Sequence, residues 1–148
     1  NTDVIIMRDA LQVVRRKLIN VMNNLAKFAK EYKDMPCMAY THLQPAQPTT
    51  VGKRATLWLN ELLMDFEELE YRIANLKLLG SKGTTGTQAS FMELFEGDTD
   101  KIKKLEQMIA EEMGFDSVVP VSGQTYSRKV DANFLATLSA YHVSLTMP

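Results

Sequence analysis

From Val4 to Tyr32 the apolar residues fall at Val4, Met7, Leu11, Val14, Leu18, Val21, Leu25, Phe28 and Tyr32, in alternating steps of three and four. A sustained seam of this kind specifies a helix that packs on other helices along its whole length. Ile5, Ile6, Val13, Ile19 and Met22 widen the seam, so the helix meets more than one neighbour, as in a bundle. Thr2 or Asp3 is placed to cap its start, and neither Gly nor Pro interrupts the chain before Pro36. A helix of about 30 residues is roughly 45 Å long. A domain of this size has a radius of gyration of roughly 15 Å, so the ends of such a helix project unless other chains cover them.

Pro36, Pro45 and Pro48 end that regularity, because each fixes its own φ and pushes the preceding residue out of the helical region. The stretch Tyr40-Thr41-His42-Leu43-Gln44-Pro45-Ala46-Gln47-Pro48-Thr49-Thr50 is therefore expected to be a stiff polar loop between two long helices. Within it, His42 carries the side chain whose ordinary titration range suits proton transfer at neutral pH. Two readings of His42 stand side by side: an acid–base group, or a histidine hydrogen-bonded in a buried turn.

The second long helix follows Thr49 or Thr50 as cap, with Val51, Ala55, Trp58, Leu62, Phe66, Leu69, Ile73 and Leu76 on one side, and Gly80 and Gly83 as its stop. The segment Gly83-Thr84-Thr85-Gly86-Thr87-Gln88-Ala89-Ser90 is either an anion cradle or a tight connector, and it lacks the spacing of a nucleotide-binding P-loop. A short helix through Phe91, Leu94 and Phe95 follows, then a break at Gly97-Asp98-Thr99 and an amphipathic helix ending at Gly114. Lys101, Lys103, Lys104, Glu106, Glu111 and Glu112 are expected on its solvent face. Phe115 to Val121 reads as an extended connector. A last helix carries Val130, Phe134, Leu138, Tyr141 and Leu145, with Ser122 as a plausible cap before it. Near that start, Gln124 and Arg128 can orient a carboxylate, or Arg128 can pair with an acidic residue of another helix. His142, among apolar positions, reads as a packing residue. The pattern as a whole predicts an all-α, long-helix bundle.

A net charge of -1, with no dense basic block, argues against nucleic acid or an anionic membrane surface as partner. No stretch is apolar for long enough to span a bilayer, and no signal-peptide pattern is present. The single cysteine, Cys37, rules out an internal disulfide and suits a reducing compartment such as the cytoplasm. His42, His142 and Cys37 show no metal-ligand spacing. The start at Asn1 and the end at Met147-Pro148, straight after a helical pattern, make residues 1–148 read as one partial domain cut from a longer polypeptide.

The segment Thr41-His42-Leu43-Gln44-Pro45-Ala46-Gln47-Pro48-Thr49-Thr50-Val51-Gly52-Lys53-Arg54 closely resembles a signature of the adenylosuccinate lyases, in the fumarase/aspartase superfamily. Lys82-Gly83-Thr84-Thr85-Gly86-Thr87-Gln88-Ala89-Ser90-Phe91, Leu94-Phe95-Glu96-Gly97-Asp98 and Gly123-Gln124-Thr125-Tyr126-Ser127-Arg128-Lys129-Val130-Asp131 are similar to the animal-type members, in the same order. The resemblance covers essentially the whole chain and implies part of the central helical domain of that superfamily.

It also implies a reaction: β-elimination of fumarate from adenylosuccinate and from a succinylated carboxamide intermediate of purine synthesis, without a cofactor. His42 then corresponds to the general acid that protonates the departing nitrogen, Thr41 to a group binding a substrate carboxylate, and Gln124 to a substrate-binding glutamine. No role carries over to Cys37, Lys53 or Arg128. Members of the family are homotetramers whose active sites draw on three subunits. Their catalytic base is a serine in a Ser-Ser-x-Met-Pro-x-Lys-x-Asn pattern that residues 1–148 do not contain. The segment alone is therefore expected to be inactive. From pattern alone, a helical oligomerisation or scaffold module is the competing class, and another superfamily lyase such as argininosuccinate lyase is the competing substrate choice.

Overall fold

The computed structural model describes residues 1–146, so the expectation at Met147-Pro148 lies outside the described residues. Among the described residues the fold comprises five helices and one hairpin: α1 (Thr2–Glu31), β1 (Pro36–Thr41), β2 (Gln44–Thr50), α2 (Val51–Asn75), α3 (Ala89–Leu94), α4 (Thr99–Glu112) and α5 (Lys129–Thr146). The helical class and the two long helices are as the sequence predicts. Two compact units are present, one formed by residues 1–11 and 72–136, the other by residues 12–71 and 137–146.

Both long helices bury residues at heptad spacing. In α1 these are Val4, Leu11 and Leu18, and in α2 they are Ala55, Leu62 and Leu69. Part of the other edge of each seam is left outside: Val21 is 43% exposed, Phe28 40% and Trp58 43%. Each helix thus leaves part of its apolar face uncovered within this chain.

In the unit containing residues 12–71, α1, α2 and α5 line a small apolar slot with Val14, Leu18, Val21, Leu62, Tyr141 and Leu145. Arg15 grips Glu70 through two guanidinium nitrogens, and the Tyr141 hydroxyl donates to the Asp65 carbonyl oxygen at 2.9 Å. Burial, then the nearby Asp65 carboxylate, pushes the Tyr141 phenol well above its usual range. His142, one residue on, is exposed, not packed as expected. One helical step rotates it about 100° off the face that buries Thr137 and Tyr141.

Where a loop was expected, β1 and β2 pair antiparallel: Pro36 with Thr50, Cys37 with Thr49, Met38 with Pro48, Tyr40 with Pro45 and Thr41 with Gln44. A slip in register between Met38 and Tyr40 sets Ala46 and Gln47 against Ala39 as a bulge. The prolines that exclude helix are tolerated because in a two-stranded sheet both strands are edges. The hairpin closes where the Val51 N–H donates to Met35 O and the Gly52 N–H to Tyr32 O, both at 2.9 Å. At Gly52 a Cβ would lie 2.4 Å from Ala29 O and 2.6 Å from Lys33 Cα, so only glycine permits this crossing. Thr50 then caps α2, its Oγ1 accepting from the Lys53 N–H at 3.1 Å.

The other unit has a core of Val4, Leu78, Ala110, Phe115 and Tyr126. Here α2 stops at Asn75, before either glycine, because the Leu78 backbone is taken by another partner: it donates to Ser117 O at 3.1 Å and accepts from the Val119 N–H at 2.8 Å. Asp98 caps α4 by accepting from the N–H groups of Asp100 and Lys101. Glu106 is not on the solvent face of α4 but buried. Its carboxylate accepts from the Ser81 N–H at 2.7 Å and is ion-paired with the equally buried Lys82. Ser122 does not cap α5. That helix begins seven residues later, where Ser127 Oγ accepts from the Lys129 N–H at 3.3 Å.

Gly52→Ala is expected to lower the unfolding free energy by about 1–3 kcal/mol despite alanine's better helix propensity, because the methyl group meets backbone rather than a movable side chain. Urea unfolding checks it. Glu106→Gln leaves the Lys82 ammonium buried without its counter-charge and is expected to cost about 3 kcal/mol in the same measurement.

Candidate active site

Thr41 and His42 stand at the tip of the hairpin, carried away from the helices by strands of six and seven residues. His42 and Leu43 are the two connecting residues, with φ of 51° and 62°. Positive φ at both positions is what a type I′ turn requires, and its twist matches that of the flanking strands. Asn-Gly is the usual occupant. For residues with larger side chains the left-handed region costs roughly 1–2 kcal/mol each, and such strain collects at functional positions. The turn leaves His42 exposed and Leu43 98% exposed, and among the described residues the His42 ring has no hydrogen-bond partner. The buried-turn reading of His42 is thereby excluded within this chain. Lys53, also exposed, lies at the opposite end of β2, in the first turn of α2.

Gln124, Arg128 and the Gly83–Ser90 loop belong to the other unit. That loop is tied down from several sides. Asn1 holds Gly80 with a pair of hydrogen bonds, its Nδ2 donating to Gly80 O and its Oδ1 accepting from the Gly80 N–H, both at 2.9 Å. Gln88, itself at φ 57°, donates through Nε2 to Ser81 O at 2.9 Å and through its backbone to Lys82 O at 3.0 Å. At Gly86, φ is +83°, and a Cβ would fall 2.0 Å from Ser122 O and 2.8 Å from Gly123 Cα. The two small-residue loops named in the sequence therefore touch backbone to backbone. The connector reading of Gly83–Ser90 accounts for this contact.

Gln124 and Thr125 are exposed, while Tyr126, next in line, is 7% exposed and sits in the core. Its hydroxyl donates to Asp131 Oδ1 at 2.8 Å, with Asp3 Oδ2 3.3 Å away. Burial first, then Asp131 and Asp3, push the phenol up to about 12. The Tyr126 hydrogen bond and the Arg128 guanidinium hold the Asp131 carboxyl below its usual range. Arg128 spans this group, with Nη1 3.1 Å from Asp131 Oδ2 and its guanidinium 5.5 Å from the Tyr126 ring centre. It pairs with Asp131, in the first turn of the helix that follows it, not with an acidic residue of another helix.

The sequence offered no signal for Tyr126 joining Asp3, since 123 residues separate them. The one signal that could have pointed to this group is the three-residue spacing of Arg128 and Asp131 at a helix start. Among the described residues no group of three or more His, Cys, Asp or Glu side chains is placed to hold a metal ion.

Adenylosuccinate lyase of Saccharomyces cerevisiae is 55% identical over 141 residues, 95% of this chain and 29% of that protein. The enzymes of that name from Schizosaccharomyces pombe and Schistosoma mansoni are 49% and 45% identical, again over 29% of their lengths. The chain thus spans less than a third of the curated relatives it matches. Among solved structures, a fumarate lyase from Mesorhizobium sp. BNC1 superposes with a TM-score of 0.80 at 26% identity, over 97% of this chain and 32% of that one. A 3-carboxy-cis,cis-muconate lactonizing enzyme from Pseudomonas putida shares the fold, with a TM-score of 0.80 at 23% identity, over 96% of this chain and 30% of that one. The lyase family model matches residues 1–146, and the chain belongs to that family.

Proposed function

We propose that this chain is the central helical segment of an adenylosuccinate lyase, a C–N lyase that eliminates fumarate from adenylosuccinate to leave AMP, and acts likewise on the succinylated carboxamide intermediate. The observation that carries the reading is an unpaired, exposed imidazole on a strained two-residue turn, within a chain 55% identical to a protein of that name. A base outside this segment removes the proton from the carbon next to the scissile C–N bond. The C–H electrons become the new double bond, the C–N pair leaves with nitrogen, and the His42 imidazolium supplies that nitrogen's proton. Without it the nitrogen leaves as a poor, anionic group, and general acid help of this kind is worth about 10² to 10⁴ in rate.

Thr41, adjoining the imidazole, binds a substrate carboxylate through its hydroxyl, and Gln124 contributes a side-chain amide to the substrate. No step calls for a cofactor. The exposed edges of α1 and α2, with Val21, Phe28 and Trp58, are the faces on which further copies pack. The assembled state is a homotetramer with active sites shared between subunits, located in the cytoplasm.

In the full-length enzyme, His42→Ala is expected to lower kcat by about 10² to 10⁴ while sedimentation shows an unchanged oligomer. Undiminished turnover would leave a helical scaffold as the better description. Offering both adenylosuccinate and argininosuccinate tests the substrate, and preference for the second would overturn that assignment.

A further inference from the structure

Gln124 lies on a short span that belongs to neither helix nor strand, yet it is bounded on both sides by fixed points. Upstream, the Ser122-Gly123 backbone is packed against Gly86, with no room for a Cβ between them. Downstream, Tyr126 sinks its ring into the core beside Val4, Leu78, Ala110 and Phe115. The tyrosine hydroxyl then donates its one proton to Asp131, at the start of α5, at 2.8 Å, with the Asp3 carboxylate, from the start of α1, 3.3 Å away.

A ring held only by apolar packing can rotate and slide, whereas a hydroxyl that donates to a carboxylate fixes its depth and direction. The backbone two residues upstream is fixed with it. The exposed amide of Gln124 is presented from that backbone, so its placement depends on the anchor although the two side chains do different things.

We propose that Tyr126 is a positioning residue for substrate binding, its hydroxyl clamped by its hydrogen bond to Asp131, with Asp3 beside it, so that the Gln124 side chain is held at a constant position. This rests on the reading of Gln124 as a substrate-binding residue. Tyr126 touches no substrate itself.

Tyr126→Phe keeps the ring in the core and deletes only the clamp. In the full-length enzyme it is expected to raise KM roughly 10-fold, the scale of a lost hydrogen bond to a charged group, with kcat within about 2-fold of the parent. A purely structural role would lower the melting temperature and leave KM unmoved. The deciding comparison is a cycle with Gln124→Ala. If Tyr126 acts through Gln124, the double variant has the KM of Gln124→Ala alone, because the amide to be positioned is gone. Additive increases in KM, or an unchanged KM in Tyr126→Phe beside a raised one in Gln124→Ala, would overturn the proposal. An unchanged KM in Gln124→Ala would show instead that the reading of Gln124 is wrong, and the proposal would fall with it. Should Tyr126→Phe not fold, Asp131→Asn takes its place in the same cycle, since it weakens the clamp by removing the charge the hydroxyl donates to.

Discussion

The crossing of α1 and α2 at Gly52 is the contact on which the candidate active site depends. Backbone meets backbone there, with the Gly52 and Val51 N–H groups bonded to Tyr32 and Met35 carbonyls. Two N–H groups at the start of α2, which have no partner inside their own helix, are satisfied by the end of α1 and the turn after it. The same bonds close the base of the hairpin. With that base fixed, six residues of β1 carry the turn about 20 Å from the helices. A side chain at residue 52 would force the helices apart and re-aim everything beyond.

Strain at the tip and firmness at the base belong together. A two-residue turn with His42 and Leu43 both at positive φ persists only if the strands on either side are held in register. The bulge opposite Ala39 and the paired ends at Pro36 and Thr50 supply that register. Leu43, nearly wholly exposed, contributes nothing to this chain's own core.

In the other unit, polar anchors do the work that regular secondary structure does elsewhere. Between α2 and α3, and again between α4 and α5, the chain runs largely without ladders. Asn1, Gln88, Glu106 and Tyr126 hold those stretches through side-chain bonds. Buried polar groups of this kind need full sets of partners, and Glu106 has both a backbone N–H and an ammonium. The result places Gly86 against Gly123 and presents Gln124 from a constrained backbone.

The seam from Val4 to Tyr32, the prolines from Pro36 to Pro48 and the cap at Thr50 determined locally that two long helices would flank a break, because periodicity, fixed φ and capping act over a few residues. The order of the signature segments likewise carried the family. Tertiary structure alone decided that the break is a paired hairpin, since proline-rich segments pair only where each strand remains an edge. It alone decided that Glu106 turns inward, because its partners Ser81 and Lys82 lie far back in the chain. The link from Tyr126 to Asp3 was decided in the same way. Such contacts depend on which distant groups the folded backbone brings within about 3 Å, and no spacing in the sequence encodes that distance.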